Sequence, residues 1–326
     1  MSTVLADSEP CKNIFSYALM RDENGEEMHK SKGNAIWFED AAEKMGGDAM
    51  RWQFASQNPA SNLNFGFGTA DDVRRQFLIP LWNVYSFFVT YANIDKFDPD
   101  ATSPPVHDRT ELDKWILSEL NLLVKTVTDN LENFQPERVT REVEEFIEYL
   151  SNWYVRRSRR RFWKSGLLTG AVGDADIDKL SAYTTLHEVL ITLIKLMAPV
   201  IPFVTEKMYQ NLAAQFAFGK ESVHLEDYPV SDAKKEIRRM AMNHLSRREH
   251  SSHELANRLR ERFESSQDID EVIVDLGREG LQSDSRFAET FVHHRIEKGL
   301  GPIRIRKELQ EKGLDEKLIK DCMQSV

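Results

Sequence analysis

The sequence predicts a mainly helical protein that opens with a short piece of an α/β domain. Apolar residues recur at helical spacing through long stretches, proline and glycine separate those stretches, and strand-length apolar runs occur only near the start. With 326 residues, 41% of them hydrophobic, the chain is long enough for two or three domains with their own cores. We expect domains at 1–64, 65–230 and 231–326.

The composition argues against several classes of protein. The formal net charge is -10, which argues against a surface that is basic throughout, so any basic site must be local. We find no apolar run of membrane length and no signal pattern in the first ten residues, so we expect no membrane and a cytoplasmic location. Cys11 and Cys322 lie far apart, which indicates neither a disulfide framework nor a cysteine zinc site, and we predict no bound metal.

The segment from Met1 to Asn64 contains the strand signals. Val4-Leu5 and the run 14–19 have strand length, and Asp22-Glu23-Asn24-Gly25 is typical of a turn that returns the chain. A short helix is predicted over 40–45, and Asp48 stands where the N-cap of the next helix would lie.

Five long helices are predicted between 65 and 230. Thr69 is the expected N-cap of the first, which spans about 71–91, and Thr110 with Asp113 forms a capping-box variant at the start of the second. Pro136 opens the third, a fourth covers about 176–197, and a fifth begins after Pro202 and ends near residue 219. Long helices joined by short breaks predict an antiparallel bundle.

A polar loop near the start carries the clearest chemical signal. Glu26 to Asn34 places two lysines and a serine beside a Gly-Asn turn, so ammonium groups, a hydroxyl and backbone N–H donors converge as they do around phosphate oxygens. On composition alone, an ordinary surface loop is the commoner interpretation.

This loop resembles the Lys-Met-Ser-Lys-Ser signature of class I aminoacyl-tRNA synthetases, and with its flanks the sequence up to about Pro229 looks like an isoleucyl-tRNA synthetase. The resemblance implies a partial nucleotide-binding domain, ATP as substrate with magnesium, and Lys30 as the catalytic lysine that steadies the phosphates. The implied ATP-binding residues are Met28, His29, Lys30, Ser31, Lys32, Gly33 and Asn34. Glu27 and His29 depart from the family pattern, and Glu27 would repel phosphate.

The stretch from Asn152 to Lys164 is the most basic in the chain. A helix would align its cations along two adjacent edges, where they could serve either as a solvated face or as a contact to a phosphate backbone. The segment resembles the arginine-rich part of the anticodon-binding bundle in the isoleucyl, valyl and leucyl enzymes, which implies contact with isoleucine tRNA. The implied tRNA-binding residues are Arg156, Arg157, Arg159, Arg160, Arg161 and Lys164.

After Pro229 the sequence repeats itself at an interval of roughly 50 residues, which predicts two stacked units of three helices. The motifs Arg247-Arg248-Glu249-His250-Ser251 and 298–309 resemble RecX, the bacterial regulator of RecA, over 234–323. That resemblance implies contact with a RecA filament on DNA through Arg247, Arg248, Arg304, Arg306 and Lys307. The adjacent His293-His294 is read as a surface pair rather than a metal site.

Several functions fit these observations. The chain resembles a truncated isoleucine-tRNA ligase fused to a RecX-like segment, and the second family signature, His-Ile-Gly-His, does not occur among its residues. We therefore expect no aminoacylation by this polypeptide alone. The alternatives are a RecX-type regulator that inhibits RecA filaments, a tRNA-binding accessory protein, and two reading frames joined by truncation or misassembly.

Overall fold

The computed structural model describes residues 9, 11, 16–101, 103–164, 174–263 and 265–324. The predicted run at Val4-Leu5, the first two residues of the run 14–19, and the glycine-rich break 166–173 lie outside the described residues. The rest of that run, 16–19, has no regular secondary structure, so the predicted strand is wrong there, and the first strand begins at Met20. The chain divides into two compact units, Met1–Val230 and Ser231–Val326, which we call unit 1 and unit 2. The prediction of a mainly helical fold is confirmed, since 13 helices, a few short 3-10 turns and one two-stranded sheet make up the described regular structure.

Unit 1 begins with a small lobe built on two short parallel strands. Strand β1 is Met20–Arg21 and β2 is Leu63–Asn64, with Met20 opposite Leu63. The predicted turn follows β1, where Gly25 has a φ of 81° and its N–H donates to the carbonyl of Asp22 at 3.0 Å. Helices α1 (Phe38–Lys44) and α2 (Gly47–Ala55) complete the lobe.

Two predicted N-caps in this lobe are wrong. Helix α2 begins after Gly46, and the carboxylate of Asp48 instead accepts the backbone N–H groups of Phe203 and Val204, at 3.2 and 2.7 Å. Asp48 therefore caps a different helix, 155 residues further along the chain. Thr69 does not cap its helix either, because the helix begins earlier, at Phe67, and the Thr69 hydroxyl reaches back to the N–H of its N-cap residue, Gly66, at 3.1 Å.

Asp48→Ala should lower the free energy of unfolding of unit 1 by about 1–2 kcal/mol, because two N–H donors at a helix start lose their acceptor. All tryptophans of the chain lie in unit 1, so tryptophan fluorescence in a urea titration reports this unit alone. The control is Asp40→Ala, which removes only an exposed ion pair to Lys44 and should cost less than about 1 kcal/mol. Equal losses in the two variants would contradict the capping role.

Five helices form the bundle of unit 1, and two of them contain a π-helical turn. Helix α3 consists of Phe67–Val73, the π segment Arg74–Leu78 and Ile79–Asp95. Helix α4 is Glu111–Glu132, and α5 consists of Pro136–Glu148, the π segment Tyr149–Val155 and Arg156–Trp163. Helices α6 (Asp174–Met197) and α7 (Pro202–Leu212) follow. Helix α4 packs against α5 and α6, α6 packs against α7, and α3 contacts α5 and α6, as expected of a helical bundle.

One continuous core joins these helices. The predicted apolar stripes of α3 and α4 are buried in it, except that Val73 and Trp115 are only partly buried, and Thr110 caps α4 with Asp113 as predicted. Helix α3, Phe67–Asp95, is the one described helix long and apolar enough to cross a membrane, although the sequence analysis found no such run. One helix of this kind is weak evidence, because core helices of soluble proteins meet the same criterion.

Unit 2 contains two successive three-helix repeats. Repeat A comprises α8 (Ala233–Leu245), α9 (Ser252–Arg260) and α10 (Ser266–Arg278), and each helix has a capping side chain at its start. Repeat B comprises α11 (Asp284–Glu297), α12 (Pro302–Glu311) and α13 (Glu316–Gln324). The start of α9 is separated from that of α12 by the same interval as the start of α10 from that of α13, so the repeat read from the sequence is a structural repeat.

The two repeats have separate cores and meet through polar contacts. The hydroxyl of Ser251 donates to the carbonyl of Lys312 at 2.7 Å, and the N–H of Ser252 donates to Asp284 at 2.7 Å. Glu254 forms an ion pair with Lys312 at 3.1 Å. Each contact joins the start of α9 to repeat B, so this edge of repeat A is the stacking edge.

Candidate nucleotide loop and nucleic-acid surfaces

The predicted phosphate loop folds as one turn of 3-10 helix, Lys30–Lys32, closed by Gly33 in the left-handed conformation with a φ of 71°. The side chain of Asn34 holds the loop in this shape through hydrogen bonds. Its side-chain oxygen accepts the N–H of His29 at 2.9 Å, and its amide donates to Asp22 at 2.8 Å. The Gly-Asn pair therefore sets the loop shape, as a close backbone turn requires.

The side chains of the loop face different ways. Met28 packs against the apolar cluster of the small lobe, which anchors the loop. The ammonium of Lys30 lies 4.5 Å from the ring centroid of Trp37, an exposed cation–π contact. Ser31 and Lys32 are exposed. Trp37 was not among the residues predicted for this site.

A cavity of about 300 Å³ opens beside the loop. Of the seven predicted ATP-binding residues, Gly33 and Asn34 line it. Its other polar lining includes the carboxylates of Asp22, Glu23 and Asp40. Hydrogen bonds from Asn34 and from the backbone lower the pKa of Asp22, so that carboxylate stays ionised. Lys44, which pairs with Asp40, also lines the cavity. Three carboxylates and one ammonium therefore line it, a balance that disfavours phosphate, and Lys30 lies outside the lining.

No group of three or more His, Cys, Asp or Glu residues that could hold a metal ion exists among the described residues. His293 and His294 are exposed and lie near Glu297 on the surface of α11, at 3.4 and 3.8 Å. His187 is a packing residue, since its Nε2 contacts the carbonyl of Leu212 at 2.8 Å and its burial lowers its pKa.

The arginine-rich segment lies at the end of α5, directly after the π-helical turn Tyr149–Val155. Arg156, Arg159 and Arg160 are exposed and make no ion pair within the described part of the chain. Arg157 is also exposed and stacks on the half-exposed ring of Trp153, with 4.6 Å from guanidinium to ring centroid. We call these four residues the arginine face.

Arg161 and Lys164 differ from these four residues. Arg161 is largely buried, and Lys164 lies beside it at the surface. The side chain of Arg161 is 11% exposed, and its guanidinium binds the two oxygens of Asp113 at 2.7 Å each, in a bidentate pair. Asp178 pairs with Arg161 at 2.8 Å and with Lys164 at 2.9 Å. The structure thus gives Arg161 a role within the bundle, and we leave both residues out of the proposed tRNA surface.

The predicted contact residues of unit 2 lie on both repeats. Arg248 pairs with Glu254 at 2.8 Å and Arg304 with Glu308 at 3.3 Å. The remaining members are exposed and make no ion pair among the residues that the structure describes: Arg247, Arg306 and Lys307. Arg304 and Lys307 line an open groove of about 660 Å³ beside Ile303, which is 87% exposed.

Comparison with known families matches three parts of the chain. Residues 1–66 match the class I tRNA synthetases (I, L, M and V), and residues 113–275 match the anticodon-binding domain of tRNA ligase. Residues 283–323 match the second three-helix domain of RecX. The anticodon-domain match runs past Val230 into repeat A, although the helices of repeat A have a core of their own.

Among curated relatives, the isoleucine–tRNA ligase of Dehalococcoides mccartyi (strain CBDB1) is 49% identical over 233 residues, which is 71% of this chain and 22% of the relative. The enzyme of Thermus thermophilus is 40% identical over 236 residues, 71% of this chain and 22% of the relative. This chain therefore spans about a fifth of the length of these relatives. A leucyl-tRNA synthetase of Agrobacterium radiobacter K84, solved with tRNA and LeuAMS, aligns at a TM-score of 0.48 and 17% identity over 67% of this chain and 24% of that one.

The family models agree with the resemblance read from the lysine loop and from the arginine-rich helix. Of the RecX resemblance read over 234–323, the family model covers the second repeat, residues 283–323. The chain therefore belongs to the tRNA ligases that carry this anticodon-binding domain; it is similar to isoleucine–tRNA ligases over 71% of its length, and residues 283–323 match the second three-helix domain of RecX.

Proposed function

We propose that unit 1 binds isoleucine tRNA and that this polypeptide does not activate isoleucine on its own. The arginine face carries the first half of this proposal. Its guanidiniums are exposed, three of them have no ion pair in the described part of the chain, and the fourth lies over the ring of Trp153. Free guanidiniums on a rigid helix are suited to phosphate oxygens, which they can bind with two parallel hydrogen bonds.

Contacts between α5 and the rest of the bundle hold the arginine face in place. Ser158 and Phe162 are buried between the arginines, and the Arg161–Asp113 pair fixes the same helix to α4. The ammonium of Lys179, itself buried, donates to the carbonyl of Lys164 at 2.8 Å, where α5 ends. A surface held in this way binds a backbone without first having to order itself.

The lysine loop, residues 26–34, supports the second part of the proposal, that this polypeptide does not activate isoleucine on its own. Lys30 is free to leave Trp37, since an exposed cation–π contact is worth only about 0.5–1 kcal/mol. ATP phosphates could then be bound by Lys30 with Lys32, and magnesium would arrive with the nucleotide, because no ligand set for it exists among the described residues. One lysine loop does not orient the attack on the α-phosphate, however, since positioning from the opposite side is also needed.

The test of tRNA binding is filter binding of the full chain to an isoleucine tRNA transcript at several salt concentrations, with a duplex DNA of equal length as control. We expect binding that weakens steeply with salt and that favours the tRNA. Absence of binding at micromolar protein in 50 mM salt, or equal affinity for the duplex, would contradict the proposal.

We also propose a cytoplasmic location, where tRNA is charged.

A second candidate function is favoured by the match of residues 283–323 to RecX. In that case unit 2 would contact a RecA filament on DNA through Arg247, Arg304, Arg306 and Lys307, with Arg248 partly engaged by Glu254. The test is ATP hydrolysis by RecA on single-stranded DNA with the full chain added. Inhibition below one protein per RecA supports this function, and no effect at stoichiometric protein counts against it.

A further inference from the structure

One face of α9 in repeat A is covered by repeat B. Ser251 and Ser252, at the start of this helix, donate hydrogen bonds to repeat B, and Glu254 forms its ion pair beside them. The side chain of His253 packs directly on the backbone of Gly313, since a Cβ added there would lie 2.5 Å from the histidine. The start of α9 is therefore a contact surface between three-helix units.

The equivalent face of α12 in repeat B is open among the described residues. An offset of 50 residues places Ile303 at the position of His253, and Ile303 is 87% exposed. Arg304, Lys307 and Glu311 are also exposed and line the same open groove as Ile303. The position that contacts a neighbour in repeat A is thus exposed to solvent in repeat B.

The exposed side chains of α12 form a single stripe along the helix. Ile303, Lys307 and Glu311 follow one another at intervals of one turn, and Arg304 precedes Lys307 by one turn. The other side of the helix, with Ile305, packs into the core of repeat B. Lys307 and Glu311 make no ion pair within the described part of the chain, and the side chain of Arg304 is 70% exposed. We call Ile303, Arg304, Lys307 and Glu311 the α12 stripe.

Two kinds of neighbour are disfavoured by the residues at this surface. Gly301 and Pro302 replace Ser251 and Ser252, so the side-chain donors that join repeat A to repeat B are missing, and Pro302 has no N–H either. A further three-helix repeat could therefore not be held in the same way. A nucleic-acid backbone is disfavoured because Glu311 would face its phosphates.

The α12 stripe is complementary in charge to a second copy of itself. Its first half carries the cations Arg304 and Lys307, and its second half carries Glu311, with Glu308 beside it. When two such helices pack antiparallel around a twofold axis, the basic half of each faces the acidic half of the other, so each charge pair occurs twice. Ile303 then loses exposed apolar surface in both copies. We propose that the α12 stripe is a contact surface between two copies of this chain, packed antiparallel.

The contact is small, so the dimer is weak. Helix α12 has 10 residues and is about 15 Å long, and contacts that bury less than about 1,200 Å² belong to transient complexes. The proposal goes beyond both candidate functions and depends on neither, so its test can fail while either of them stands. Arg304 and Lys307 are covered in the dimer, which therefore excludes their predicted contact with a filament.

The experiment is sedimentation equilibrium of the full chain, freed of nucleic acid, from about 5 to 500 µM protein. The average mass should rise with concentration towards that of a dimer. Arg304→Glu alone and Glu311→Arg alone each place like charges opposite each other twice, and each should weaken association at least about tenfold. An equal mixture of the two variants should associate within about threefold of the unchanged protein, because each acid then faces an arginine of the other variant.

Two further variants separate this contact from general charge and from folding. Arg306→Glu makes the same charge change on the same helix but outside the α12 stripe, and should alter association less than about threefold. Ile303→Ala leaves the charge unchanged at a position that is 87% exposed, so folding is unaffected, and it should weaken association at least about fivefold. The proposal is overturned by a monomer at every concentration, by equal loss in Arg304→Glu and Arg306→Glu, or by a mixture that stays monomeric. A dimer that persists in Arg304→Glu and in Glu311→Arg would overturn it too, since another surface would then form the contact.

Discussion

Asp113→Ala is expected to lower the free energy of unfolding of unit 1 by about 3–5 kcal/mol, because it removes one partner of a buried ion pair. Asp113 is fully buried and accepts two hydrogen bonds from Arg161 at 2.7 Å and one from the hydroxyl of Tyr154 at 2.6 Å. Its Oδ2, which accepts one of the Arg161 bonds, also accepts the backbone N–H and the hydroxyl of Thr110 and so completes the capping box at the start of α4. The substitution would leave buried donors unpaired and loosen the helix that presents the arginine face.

Urea denaturation followed by tryptophan fluorescence measures this loss. Asp178→Ala is the matched control: its carboxylate is 28% exposed and also pairs with Arg161, so its loss should cost about 1 kcal/mol. Burial alone would raise the pKa of Asp113, but the hydrogen bonds and charge of Arg161 outweigh it and hold that pKa below its ordinary value. The stabilisation from Asp113 is therefore present at neutral pH and is lost as pH falls through the lowered pKa. Equal losses in the two variants would contradict this role.

Arg156→Ala, Arg159→Ala and Arg160→Ala together are expected to weaken binding of isoleucine tRNA at least tenfold at 0.1 M salt. If each arginine contacts one phosphate, the slope of log affinity against log salt should fall in magnitude by about 2 to 3. Stability should change little, because the three side chains are exposed and unpaired within the described residues.

The matched control for this variant removes three exposed cations elsewhere in unit 1, through Arg138→Ala, Arg141→Ala and Lys207→Ala. It lowers the net charge equally, so any general electrostatic effect appears in both variants. Similar loss of affinity in both would show that the arginine face is not a specific tRNA surface.

Features that depend on residues close together in the sequence, such as helix caps, could be predicted from local patterns. Thr110 and Asp113 are three residues apart and were identified as a capping pair, whereas Arg161, 48 residues from Asp113, appeared only as one more arginine in a basic run. A signal for its different role was present: Tyr154, Ser158 and Phe162 recur every four residues and mark the buried edge of α5, beside which Arg161 lies.

Contacts between distant segments account for the failed predictions. Asp48 has the right side chain for an N-cap, but the fold places it at the start of α7, which no pattern within the small lobe could show. The interval between the repeats of unit 2 was predictable because each repeat must bury its own apolar positions, so the period of the sequence is the period of the structure.

Exchange of pyrophosphate into ATP with isoleucine present is the most direct test of the claim that this polypeptide holds only one side of a phosphate-binding site. We predict background exchange for the full chain, unchanged by Lys30→Ala, under conditions in which tRNA binding is intact. Isoleucine-dependent exchange that disappears in Lys30→Ala would show that this polypeptide forms a complete active site and would contradict the account.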